Sequence, residues 1–173
     1  MLADGDATRQ AIIQALQDHF VNNDRIDRGD AMLFYFAGHG SQCDAPAGWT
    51  TDDGNVETIS PHDESNNPDS NVCGIPDRTL FALLHQTAEA RGNNITTILD
   101  CCHSGSGTRG VTEWKARGHW NPVPIHADLD QEIWGKSTDR AIHATSPVGF
   151  FGSSMSSHVL LAACRQVIII RHH

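Results

Sequence analysis

Short unbroken apolar runs alternate with amphipathic stretches along this chain. Residues 8–22 carry Ile12, Ile13, Leu16 and Phe20 at helical spacing. Asp6 or Thr8 can cap that helix. "AMLFYFA" (31–37), with Gly38 and Gly40 behind it, predicts a strand buried on both faces, as in a parallel sheet. Residues 41–74 are rich in Asp, Asn, Gly, Ser and Pro and predict a long loop, with room for a short strand near "ETIS". Pro76 and Asp77 suit a helix start. Leu80, Leu83, Leu84 and Ala88 then form one apolar face, and Gly92 stops the helix. "ITTIL" (95–99) is a second, β-branched strand and "HVLLAAC" (158–164) a third, with the long irregular stretch 103–157 between them. "VIII" (167–170) continues the apolar character.

Strands alternating with helices predict an α/β fold with a mostly parallel sheet flanked by helices. In such sheets, sites form at the carboxyl ends of the strands. His39 follows the first strand and Cys101 and Cys102 follow the second, so both reach that edge. The two long loops leave from the same edge, and long loops in compact domains are usually functional or disordered.

Composition narrows the function. With 173 residues the chain is expected to be a single domain, 1–173, with a core of its own. The net charge is −9 and no Lys/Arg cluster occurs, which disfavours nucleic acid as a partner. No apolar run approaches the roughly 20 residues that span a bilayer. "MLADGDATRQ" lacks a signal pattern. The expectation is a soluble cytoplasmic protein without a membrane partner. The five cysteines are odd in number and irregularly spaced. Neither CxxC nor HExxH occurs, which argues against zinc ribbons, thioredoxin pairs and zincins. A disulfide scaffold is not expected.

"LDCCHSG" (99–105) remains to be explained. It reads as a nucleophile, a metal site or a buried thiol pair. A nucleophilic cysteine needs a base or cation nearby, and a histidine at the end of a neighbouring strand can supply one. Gly38 and Gly40 allow close backbone approach and leave N–H groups for an oxyanion. Zinc held by His39, Cys101, Cys102 and His103 is feasible by residue type, but adjacent ligands on one strand end rarely converge on a tetrahedron. Cys101 reads as a buried thiol beneath the site, and Cys43, Cys73 and Cys164 as structural.

"YFAGHGSQ" and "ILDCCHSGSGTR" resemble the two signature blocks of the caspase superfamily, closest to metacaspases and fungal caspase-like domains. The order of elements matches as well, and the likeness runs over roughly residues 8–165. It implies a caspase-like fold and a cysteine endopeptidase. Cys102 matches the nucleophile and His39 the general acid/base. The backbone N–H groups of Gly40 and Cys102 match the oxyanion hole. Asp100 matches an acidic residue of the S1 pocket, which implies peptide or protein substrates cut after Arg or Lys at P1. A carboxylate there can pair with a cationic side chain. No organic cofactor is implied. Many metacaspases are calcium-activated through acidic residues, which makes Asp52, Asp53 and Asp63 candidate ligands; a solvated acidic loop is the competing reading. Arg109, Lys115, Arg117, Lys136 and Arg140 are candidate self-processing sites. Trp114, Trp120 and Trp134 are expected to pin the second long loop to the body.

Relative to a complete domain of that family, the chain opens almost inside a helix, and "VIIIRHH" departs from the usual continuation. The expectation is an incomplete domain, truncated at both ends, prone to aggregate at its open sheet edge. The alternative function is a non-catalytic caspase-like module, or an inactive fragment, acting by interaction.

Overall fold

A computed structural model describes residues 1–51, 54–65, 67, 71–101, 122–135 and 158–162. Helix α1, Arg9–Leu16, starts where the Thr8 hydroxyl accepts the N–H of Ala11 and ends in a π-helical turn, Gln17–Val21. Strand β1, Met32–Ala37, passes almost directly into β2, His39–Asp44. Then come β3, Asn55–Ser60, and the two-residue β4, Ile75–Pro76. Helix α2, Asp77–Arg91, stops at Gly92, whose φ of 99° lies in the left-handed region that glycine tolerates. Strand β5, Ile95–Asp100, the four-residue helix α3, Gln131–Trp134, and β6, Val159–Ala162, follow.

Two sheets result. Strands β1, β5 and β6 form a parallel sheet in that order, and β2, β3 and β4 form a small antiparallel one. The stretch 41–74, expected as a loop with one short strand, thus carries most of β2 and all of β3. The antiparallel sheet depends on a close approach. A Cβ at Gly74 would lie 2.6 Å from Thr58 Oγ1, and that hydroxyl is 2.7 Å from Ser41 Oγ inside the sheet.

The main core lies between the parallel sheet and the helices. Met32, Ile95 and Leu99 point inward from the sheet, with Phe34, Phe36, Leu160 and Ala162 partly buried beside them. Ile12, Ile13 and Leu16 of α1 and Leu80, Leu83 and Leu84 of α2 meet them. Each fully buried leucine contributes about 1.5–3 kcal/mol.

The other face of this sheet corrects the sequence expectation. β1 is not buried on both sides: Leu33 is 58% and Tyr35 56% exposed, and across the sheet Val159 is 60% and Leu161 48% exposed. The reason is topological. The connections β1→β5 and β5→β6 step across the sheet in one direction, and right-handed crossovers then fall on one face. α2 and α3, which lie within those connections, both pack into the same core cluster. The apolar run specified the strand, but the tertiary path left one face uncovered among the described residues.

Candidate active site

The parallel ladder brings the two signature blocks together. β1 and β5 run in register from Met32↔Ile95 to Ala37↔Asp100, and the N–H of Gly38 donates to the carbonyl of Asp100 at 3.2 Å. His39, one residue on, opens β2 and is exposed. It therefore sits at the carboxyl edge of the sheet beside the exposed Asp100. Gly40 is buried opposite Ile59 in the β2–β3 ladder. Cys101 is only 3% exposed and belongs to the main core, as expected of a buried thiol. Cys102 and His103 lie outside the described residues, as do Asp52, Asp53, Trp114, Trp120, Cys164, residues 167–170 and the candidate processing positions 109, 115, 117, 136 and 140. Among the described residues, then, the fold gathers His39, Gly40, Asp100 and Cys101 at one edge.

Cys43 and Cys73 lie in a second, smaller core with Val56, Val123 and Ile125. Burial pushes the Cys43 thiol up to about 12, and burial also raises that of Cys73. Both are thiols rather than thiolates at neutral pH, which suits a structural role.

Asp63 has a defined partner: its Oδ1 accepts the N–H of Arg9 at 2.7 Å, at the start of α1. Among the described residues no three His, Cys, Asp or Glu side chains gather as metal ligands.

Two polar clusters carry no warning in the sequence. Asp130, 8% exposed and at φ 57°, pairs with the guanidinium of Arg9 and accepts the Thr79 hydroxyl at 2.8 Å. It ties the segment 122–135 to both α1 and α2. The second cluster surrounds Arg78. Its Cζ lies 3.8 Å from the ring centre of Trp134 and 4.8 Å from that of Trp49, and the two indoles meet edge to face at 6.5 Å. Trp49 Nε1 donates to the Ala127 carbonyl and Trp134 Nε1 to that of Leu129, each at 2.9 Å. Trp134 does pin its own described part of the second long stretch, 122–135, to the body, as expected, but through a cation and a tryptophan from the β2–β3 turn. Residues so far apart in sequence leave no periodic signal.

The sequence comparisons agree with this geometry. The profile of the family described as "Metacaspase, peptidase C14 domain" matches residues 2–109. This chain belongs to the metacaspase family. It is 37% identical over 113 residues to Metacaspase-1 of Mycosarcoma maydis and 35% identical over 103 residues to Metacaspase-1 of Candida albicans. It is 30% identical over 108 residues to Metacaspase III c of Phaeodactylum tricornutum. These matches cover 65%, 57% and 62% of the chain, but only 26%, 21% and 30% of the respective metacaspase relatives. The chain thus spans less than a third of each relative's length. Both signature blocks and the α/β body of β1–β3, α2 and β5 fall inside the matched metacaspase region. No helix among the described residues is long and apolar enough to cross a membrane.

Proposed function

We propose that this chain carries the catalytic half-sites of a caspase-type cysteine endopeptidase that cuts after arginine or lysine. The observation that supports it best is the Gly38–Asp100 hydrogen bond. It holds the GHG block against the strand that leads into Cys102. In this reading His39 draws the proton from the Cys102 thiol, and the thiolate attacks the scissile carbonyl. The C–N bond breaks as imidazolium protonates the leaving amine, and water then hydrolyses the acyl-enzyme. Backbone N–H groups of Gly40 and Cys102 receive the oxyanion. Asp100, exposed beside His39, pairs with the cationic P1 side chain. Cys101 supplies packing. The substrates are peptides or proteins with Arg or Lys at P1.

The apolar sheet face that stands exposed among the described residues supports a second reading, in which the chain acts by interaction and not by catalysis. An arginyl electrophile separates the two. It should label Cys102 in the wild type, fail with Cys102→Ala, and slow by orders of magnitude with His39→Ala, while Cys101→Ala is labelled normally. Asp100→Asn should cut labelling by the arginyl probe far more than labelling by a neutral alkylating agent. Equal labelling of wild type and Cys102→Ala would overturn the protease reading.

A further inference from the structure

One face of the small antiparallel sheet leads straight to His39. Residues directly opposite each other on antiparallel strands point to the same face, and every second pair shares it. Cys43↔Val56, Ser41↔Thr58 and His39↔Ser60 therefore form one column across β2 and β3. The far end of the column is apolar, since Cys43 and Val56 belong to the second core. Its middle is a satisfied hydroxyl pair, Ser41 Oγ and Thr58 Oγ1 at 2.7 Å, backed by Gly74, which leaves no room for a side chain there. Its near end is His39, exposed, and Ser60, half-buried. The Ser60 hydroxyl breaks the pattern. Its oxygen is shielded from water and has no hydrogen-bond partner among the described residues. A buried hydroxyl left unpaired is costly, and the side chain that stands directly across from it is the proposed base.

We propose that Ser60 is the positioning residue for the His39 imidazole, a role that rests on the reading of His39 as general acid/base. Directly opposed Cβ atoms stand about 4.5–5.5 Å apart. The serine oxygen lies one bond beyond its Cβ, and Nδ1 is the ring nitrogen nearer the histidine Cβ. Side-chain rotation alone brings such a pair within the roughly 2.7–3.2 Å of a hydrogen bond. Nδ1–H then donates to Ser60 Oγ. That contact fixes the tautomer and leaves the Nε2 lone pair to take the thiol proton. Serine adds no charge, so it sets the direction of the ring more than its proton affinity. This suits a thiol, which gives up its proton far more readily than a hydroxyl does. The fold prepares the contact from both sides. The Ser41–Thr58 pair holds β2 and β3 together one rung away, and the Gly38–Asp100 hydrogen bond holds the start of β2 against β5.

The test reads the histidine and the thiol separately. In the full chain carrying Cys102→Ala, long-range nitrogen–proton NMR correlations in alkaline buffer report the tautomer of the neutral His39 ring, whatever Cys102 does. His39 should hold its proton on Nδ1, the minor form of free histidine. Adding Ser60→Ala should move the population towards Nε2–H. Ser60→Thr, which keeps the hydroxyl, should leave it on Nδ1. With Cys102 present, labelling by the arginyl electrophile should slow about tenfold in Ser60→Ala, the scale of one lost hydrogen bond. Ser60→Thr should label at close to the wild-type rate. A parent chain with mostly Nε2–H, or with an even mixture, would overturn the proposal. So would a tautomer that Ser60→Ala leaves unchanged. Labelling as slow in Ser60→Thr as in Ser60→Ala would overturn it too, because the hydroxyl would then not be what acts. If Ser60→Ala does not fold, the tautomers of the parent chain and of Ser60→Thr still decide. If Cys102 is labelled in no chain, the protease reading falls, and the tautomer alone decides whether Ser60 positions His39.

Discussion

Replacing Asp130 with alanine should remove about 4 kcal/mol of stability. The carboxylate serves two partners, the Arg9 guanidinium and the Thr79 hydroxyl. Arg9 is 16% exposed at its side chain and its Nε already lacks a partner, so it cannot turn to bulk water cheaply. Thr79 is fully buried. Removing one member of a buried ion pair costs about 3–5 kcal/mol. The stranded hydroxyl overlaps with that figure, because the same carboxylate is lost. Backbone strain adds little to the difference, because aspartate itself already holds φ at 57° in the left-handed region, which costs an L residue roughly 1–2 kcal/mol. Asparagine separates these contributions. It tolerates that backbone and still offers an oxygen to Thr79 and Arg9, so only the charge is lost and about half the cost should remain. Urea unfolding followed by tryptophan fluorescence measures both variants, with Trp49 and Trp134 as reporters near the same segment. At a slope of about 2 kcal/mol per M, alanine should lower the midpoint by about 2 M and asparagine by about 1 M. If alanine and asparagine behaved alike and fell within about 1 kcal/mol of wild type, the buried network would not be holding the segment 122–135.

Three other outcomes follow from the same structure. His158 is 8% exposed, faces Phe81 at 6.0 Å and lines a small apolar cavity with Leu80, Leu84, Thr97, Leu99 and Leu160. Burial lowers it from 6.5 to about 4, so its neutral form is favoured in the fold. Its stabilising contribution is complete above pH 6.5 and is lost as pH falls towards 4, up to about 3 kcal/mol, and His158→Phe should flatten that part of a pH–stability curve. Gly74→Ala would press a methyl against Thr58 and should cost about 1–3 kcal/mol by urea titration, whereas a cost near zero would mean the β3–β4 corner is loose. Leu33→Lys and Val159→Lys, on the open sheet face, should change stability by less than about 0.5 kcal/mol while reducing light scattering of the concentrated protein. A large loss of stability would show that this face is covered.

Local chemistry was enough to read the elements. Thr8 capping, the Ile12–Leu16 spacing, the Pro76–Asp77 start and the Gly92 stop placed both main helices, because caps and periodicity act within one or two turns. The β-branched and aromatic runs marked β1, β5 and β6 for the same reason. The edge where His39 and Asp100 meet was also legible, since parallel strands joined by right-handed crossovers bring their carboxyl ends together. What the runs could not reveal was coverage. Whether Leu33 and Tyr35 face protein or water depends on the side to which distant connections cross. The antiparallel sheet in 41–74 was hidden because its inward residues include Gly40, Ser41, Thr58 and Gly74, small or polar groups that satisfy one another only once paired. Asp130 with Arg9, and Arg78 with Trp49 and Trp134, are pairings over long sequence separations. A charge or an indole carries no local mark of its partner, and only the tertiary structure, by removing water from around them, decided which charges had to meet.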